Sequence, residues 1–224
     1  MFDLDGTLYR AKPLRNKMLV ELGLATLRGA LGGGSRRRLK VIKAYRHALE
    51  ELRDNQEPAP QGWRQAQYER AAEQAGVRPE TVQVITGEWM ETRPLKHLHA
   101  CARPGLRETF ETLAGGGLAL GVYSDYPVEA KLKALGIADL VSVQLHAGME
   151  GVPRPKPHAD GLLRGCVLLG VETSECVYVG DRPEVDAASA NAAGFRRAYI
   201  VGDGTQTNAS TSDGSGPFTW LPEL

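Results

Sequence analysis

Apolar and polar residues follow two different rhythms along this chain. Between Leu14 and Leu98 the apolar positions recur at steps of three and four. Leu39, Ile42, Tyr45, Leu49 and Leu52 line one face of a predicted helix. Arg46 and Glu50 add an i,i+4 pair on its wet side. Pro79 opens a further helix, with Val82, Ile85 and Trp89 on its inner face. Gly32 to Gly34 and Asn55 to Gly62, with Pro58 and Pro60, read as connectors. This stretch predicts a compact bundle of about four helices.

From Pro104 onward, short apolar runs alternate with helical segments. The runs are Leu118 to Tyr123, Leu140 to Leu145, Cys176 to Val179 and Arg197 to Val201. Helices are predicted through Arg107 to Leu113, Val128 to Leu135, Ala159 to Leu169 and Val185 to Ala193. Such alternation predicts an α/β fold, a doubly wound parallel sheet with helices on both faces. Right-handed crossovers put every strand C-terminus on one edge, where open α/β sheets bind their ligands. Thr205 to Gly216 is rich in Ser, Thr, Asn and Gly and reads as a flexible loop, 205–216. Pro217 to Leu224 regains apolar character and is expected to return to the core as an edge strand. The expected domains are a discontinuous α/β core over 1–12 and 99–224 and a helical domain over 13–98.

Composition narrows the function. Lys plus Arg and Asp plus Glu both number 27, so the formal charge is zero. Nothing pulls the chain toward nucleic acid or an anionic membrane, and neither is expected as a partner. No run of about 18 apolar residues suggests a membrane span. No basic-then-apolar leader suggests secretion. Cys101, Cys166 and Cys176 are too few and too scattered for a disulfide framework or zinc knuckle. They are expected to be reduced, which suits a cytoplasmic protein.

The candidate chemistry lies at the ends of the apolar runs. Asp3-Leu4-Asp5-Gly6-Thr7 puts two carboxylates on one side of an extended segment, with a glycine that lets the chain turn. Two converging carboxylates can hold a hard divalent cation. Alternatively, one attacks an electrophile while the other handles protons. Ser124-Asp125 closes a second run. Lys156 lies within Arg154-Pro155-Lys156-Pro157, and Asp186 follows Gly180-Asp181 by five residues. Singly, Ser124 reads as a helix N-cap, Lys156 as a solvated charge, and Asp181 and Asp186 as turn and first-turn residues. Together they suggest a site for an anion held by a cation.

With these motifs in this order, the chain resembles the haloacid dehalogenase-like hydrolase superfamily, in its phosphatase branch. The resemblance covers residues 1–12 and 99–201. It implies a Rossmann-like core, with the segment between the first two motifs as an inserted helical cap that closes over the strand edge. It also implies roles. Asp3 is the nucleophile, giving an aspartyl-phosphate. Asp5 protonates the leaving oxygen and then deprotonates water. Mg2+ lies between the Asp3 side chain, the Asp5 carbonyl and Asp181, with Asp186 as a ligand or support. Ser124 and Lys156 bind phosphate, Lys156 also keeps Asp3 ionised, and backbone N–H groups around Gly6 complete the cradle.

The activity so implied is Mg2+-dependent hydrolysis of a small phosphorylated metabolite. Asp5 favours it over dehalogenation, because halide leaves without a proton. A sugar phosphomutase and a noncatalytic phospholigand-binding module remain open, as do monomer and homodimer. Arg36-Arg37-Arg38 reads as a solvated surface, or as a patch for a second anionic group of the substrate. The family's first strand has about five apolar residues before its Asp, and each missing one forfeits about 1.5–3 kcal/mol. Only Met1 and Phe2 precede Asp3, so a late start or a shortened chain is expected.

Overall fold

The computed structural model describes residues 1–27, 34–54, 59–202 and 218–221. The loop expected at 205–216 lies outside the described residues. The chain separates into two compact units, one of Met1–Arg10 with Cys101–Leu224, the other of Ala11–Ala100. Among the described residues no helix is long and apolar enough to cross a membrane.

The Ala11–Ala100 unit is helical. It holds α1 (Ala11–Leu27), α2 (Gly34–Arg53), α3 (Trp63–Ala75), α4 (Pro79–Thr86) and most of α5 (Leu95–Cys101). Pro79 occupies the first turn of α4, where its missing N–H costs nothing. The chain continues from α4 into a π-helical turn, Gly87–Thr92, which buries Trp89. The buried face of α2 is rotated from the one the larger side chains suggest. Val41, Ala44, Tyr45, Ala48, Leu49 and Leu52 are buried, whereas Leu39 is 42% exposed. Ala71 and Ala72 of the neighbouring α3 are buried as well, and Tyr45 stacks on Tyr68. Arg36 and Arg37 are exposed, while Arg38 lies over the Trp89 ring at 5.8 Å. That triplet is therefore split between solvent and packing.

The other unit carries the parallel sheet. Its strands are β1 (Gly121–Ser124), β2 (Val143–His146), β3 (Val177–Gly180), β4 (Arg197–Val201) and β5 (Thr219–Leu221). β1 pairs with β2, and β4 pairs with both β3 and β5, all parallel. The two halves are joined by the first three residues. Phe2 bridges Val122 on one side and Val179 on the other. Four backbone bonds of 2.8–3.0 Å, among them Phe2 N to Gly121 O and Asp3 N to Val179 O, make this segment a central strand in all but length. Around it lie α6 (Leu106–Gly115), α7 (Glu129–Leu135), α8 (Asp160–Leu169) and α9 (Ala188–Ala192). Tyr123, Leu162, Tyr178 and Ile200 are fully buried in the core. Parallel pairing leaves Asp3, Ser124 and Asp181 at or just past the C-terminal ends of three adjacent strands.

Candidate active site

Two carboxylates that are neighbours in sequence end in different surroundings. Asp3 is buried, and its Oδ1 accepts from Lys156 Nζ at 2.5 Å. Its Oδ2 accepts from Thr7 Oγ1 at 3.0 Å. Lys156 Nζ also donates to Asp186 Oδ1 at 2.6 Å and to Tyr178 Oη at 3.2 Å. The Lys156 backbone N–H is anchored on Asp125 Oδ1 at 3.0 Å. Asp186 uses Oδ2 to accept from the N–H groups of Asp181 and Arg182, both at 3.0 Å, and so shapes the loop after β3.

Asp3, Asp181 and Asp186 can each offer a carboxylate oxygen within 4.8 Å of the others. Burial and the nearby Asp186 push Asp181 up to about 7. Burial also drives Asp3 well above the carboxylate range, and Asp186, Asp181 and Asp5 add to it. Lys156 opposes this and favours the ionised form. For Lys156, burial works against the charge, but Asp186 and Asp3 outweigh it and hold the ammonium protonated. Asp3 and Asp186 share the Lys156 ammonium, and Asp181 adds a third carboxylate beside them. An all-oxygen donor set of this kind fits a hard divalent cation.

Asp5 does not share its carboxylate with that group. Lys131 Nζ donates to Oδ1 at 2.6 Å and to Oδ2 at 2.8 Å. Tyr9 Oη donates to Oδ1, and Ser124 Oγ donates to Oδ2 at 3.2 Å. Burial would raise Asp5, but Lys131, with Tyr9 and Ser124, holds it below the usual carboxylate range. Ser124, expected to donate to phosphate, spends its hydroxyl on Asp5 here.

The structure thus gathers Asp3, Lys156, Asp181 and Asp186 around one centre, with Asp5 and Ser124 beside it. Lys131, Tyr9 and Tyr178 enter the site without a motif to announce them. Their only sequence signal is position near Ser124, Asp5 and Asp181.

Gly6 fits for two reasons. Its φ is +104°, a region that side chains disfavour, and an added Cβ would lie 2.1 Å from Asp181 Oδ2. Gly6→Ala is expected to displace Asp181 and the turn after Asp5, with backbone strain of about 1–3 kcal/mol. A lowered melting temperature together with weaker divalent-cation stabilisation would bear this out. An unchanged melt and cation response would count against it.

A family model for haloacid dehalogenase-like hydrolases matches residues 1–194. A phosphoglycolate phosphatase of Cereibacter sphaeroides is 29% identical over 212 residues, covering 90% of this chain and 84% of its own. The 2-haloacid dehalogenase of Pseudomonas syringae pv. Tomato superposes with a TM-score of 0.61 at 25% identity, over 98% of this chain and 91% of its own. A β-phosphoglucomutase of Clostridium difficile gives 0.54 at 17% identity, over 90% and 83%, a likeness of fold alone.

Proposed function

The chain belongs to the haloacid dehalogenase-like hydrolases, and from that premise we propose that it is a phosphatase of a small phosphorylated metabolite working through an aspartyl-phosphate. The observation that carries this reading is the division of labour between Asp3 and Asp5. Asp3 lies among the carboxylates that share Lys156, whereas Asp5 is held apart by Lys131, Tyr9 and Ser124. A dehalogenase has no use for the second carboxyl, because halide leaves unprotonated. Ester cleavage does, because an alkoxide must receive a proton.

In the first step an Asp3 oxygen bonds to phosphorus as the phosphorus–ester bond breaks. The ester oxygen leaves with a proton from Asp5. In the second, water gives its proton to Asp5 as its oxygen joins phosphorus, and the Asp3–phosphorus bond breaks. Asp5 is ionised at rest, so it is ready for the second step, and the proton for the first arrives with a substrate bound as its monoanion. Lys156 faces the charge that gathers on the phosphoryl oxygens. Asp3 and Asp181, with Asp186 and the Asp5 carbonyl, would hold Mg2+, which when bound neutralises anionic nucleophile and anionic ester together. Backbone N–H groups near Gly6 complete the cradle.

The relative named above puts phosphoglycolate first among esters to try. The purified protein is expected to release phosphate from an aryl phosphate and from at least one ester of a metabolite panel. Chelation should lower the rate by at least about 100-fold, with Mg2+ restoring it. A folded, metal-loaded protein that releases no phosphate from any ester would sink the reading. Interconversion of sugar phosphates without net release would point to a mutase instead.

A further inference from the structure

Lys131 belongs to none of the motifs, yet its ammonium makes the most extensive contact with Asp5. It donates to both carboxylate oxygens, whereas Tyr9 and Ser124 donate to one each. Its residue is 7% exposed, while Glu129 and Lys133 on the same short helix are exposed. A lysine loses hydration when buried unless a partner replaces it, and this one is buried against a site carboxylate. The first turn of a helix is also a poor place for a cation, since the helix dipole opposes it. Helix formation and solvation therefore both disfavour Lys131 where it is. The contact with Asp5 is the compensation.

We propose that Lys131 is a positioning residue for proton exchange at Asp5. This rests on the reading of Asp3 as nucleophile and Asp5 as acid and base. Asp5 comes from the turn after the bridging segment Met1 to Asp3, Ser124 from the end of β1 and Lys131 from α7. Donors from separate elements fix the rotation of the carboxylate, and the bidentate contact with Lys131 fixes its plane. One oxygen is thereby kept facing the ester oxygen in the first step and the water in the second. Lys131 keeps its own protons throughout. The proton moves from Asp5 to the departing oxygen, then from water to Asp5.

Proton transfer requires heavy atoms within about 2.6–3.2 Å. A misplacement of about 1 Å costs roughly 100-fold in rate. That cost falls only on leaving groups that need a proton. An alkyl phosphate needs one, because its alkoxide is strongly basic. A 2,4-dinitrophenyl phosphate does not, because its phenolate leaves unaided.

The test compares the two esters in the full-length, Mg2+-loaded protein. For Lys131→Met, which retains most of the apolar stem, kcat on the alkyl ester relative to the aryl ester is expected to fall by about 10- to 100-fold. Lys131→Arg should recover most of that ratio. Should the methionine variant not fold, Lys131→Gln carries the same comparison. Asp5→Asn provides the reference, with a larger fall in the same ratio. Equal losses on both esters in the Lys131 variants, beside a selective loss in Asp5→Asn, would overturn the proposal and leave the mechanism standing. Equal losses in Asp5→Asn as well would overturn both.

Discussion

Asp3→Asn is expected to lower kcat by at least about 10,000-fold and to leave the acid-quenched enzyme without a phosphoryl group. An amide cannot supply the attacking oxygen, so the covalent route closes even though Lys156, the cradle and Asp5 stay in place. The same substitution should not unfold the protein. Asp3 is buried beside Asp186 and Asp181, and its charge is disfavoured there. Asparagine keeps an oxygen for Lys156 or Thr7 and removes one of the competing negative charges. Lys156 retains Asp186 at 2.6 Å. In chelator the variant should therefore melt at or above the wild-type temperature, and Mg2+ should stabilise it less than wild type. Two readings are separated by one pair of measurements. Lost turnover with an intact melt marks a nucleophile, whereas lost turnover with a collapsed melt marks a structural carboxylate. Wild-type turnover in Asp3→Asn would move the nucleophile elsewhere.

Most of the elements that position this site are legible in the chain. The apolar runs Leu118 to Tyr123 and Cys176 to Val179 form strands, Gly121–Ser124 and Val177–Gly180, whose ends are displaced by one to three residues from those of the runs. The displacement has a simple cause, because flanking apolar residues such as Leu118, 57% exposed, lengthen a run without entering the sheet. Pairs such as Asp3 with Asp5 stand out because period-2 spacing and a following glycine are rare together. Asp186 is harder to read. A carboxylate in the first turn of a helix is ordinary, and only its bonds to Lys156 and to two loop N–H groups show what it holds. Lys131 is not legible at all. Within Glu129-Ala130-Lys131-Leu132-Lys133 it reads as one of several wet charges. Its burial depends on where α7 lands beside Asp5, a long-range contact that no local pattern encodes. Leu39 fails in the opposite way. Counting large apolar residues overlooks Ala44 and Ala48, which are buried on the packed face of α2.

Lys156→Met should be the most destabilising single change in the site, by about 3–5 kcal/mol. Lys156 is 2% exposed, and its ammonium bridges Asp3 at 2.5 Å to Asp186 at 2.6 Å. Methionine nearly matches its volume, so the loss is not one of packing. Two carboxylates are left facing each other in a buried space, and Tyr178 loses a partner. Loss of this size in a chain of 224 residues corresponds to a fall in melting temperature of roughly 6–20 °C. Electrostatic origin makes a further demand. Adding Asp186→Asn to Lys156→Met removes one of the stranded charges, so the double variant should be more stable than Lys156→Met alone, although Asp186→Asn is destabilising in the wild type. Melts of the four proteins in chelator complete the cycle. Additive losses would mean that Lys156 and Asp186 act separately, and a Lys156→Met loss below about 1 kcal/mol would mean the ammonium is not what holds the carboxylates together. Turnover should fall in Lys156→Met under every condition, because the charge that faces the transferred phosphoryl group is lost with the fold's internal counter-ion.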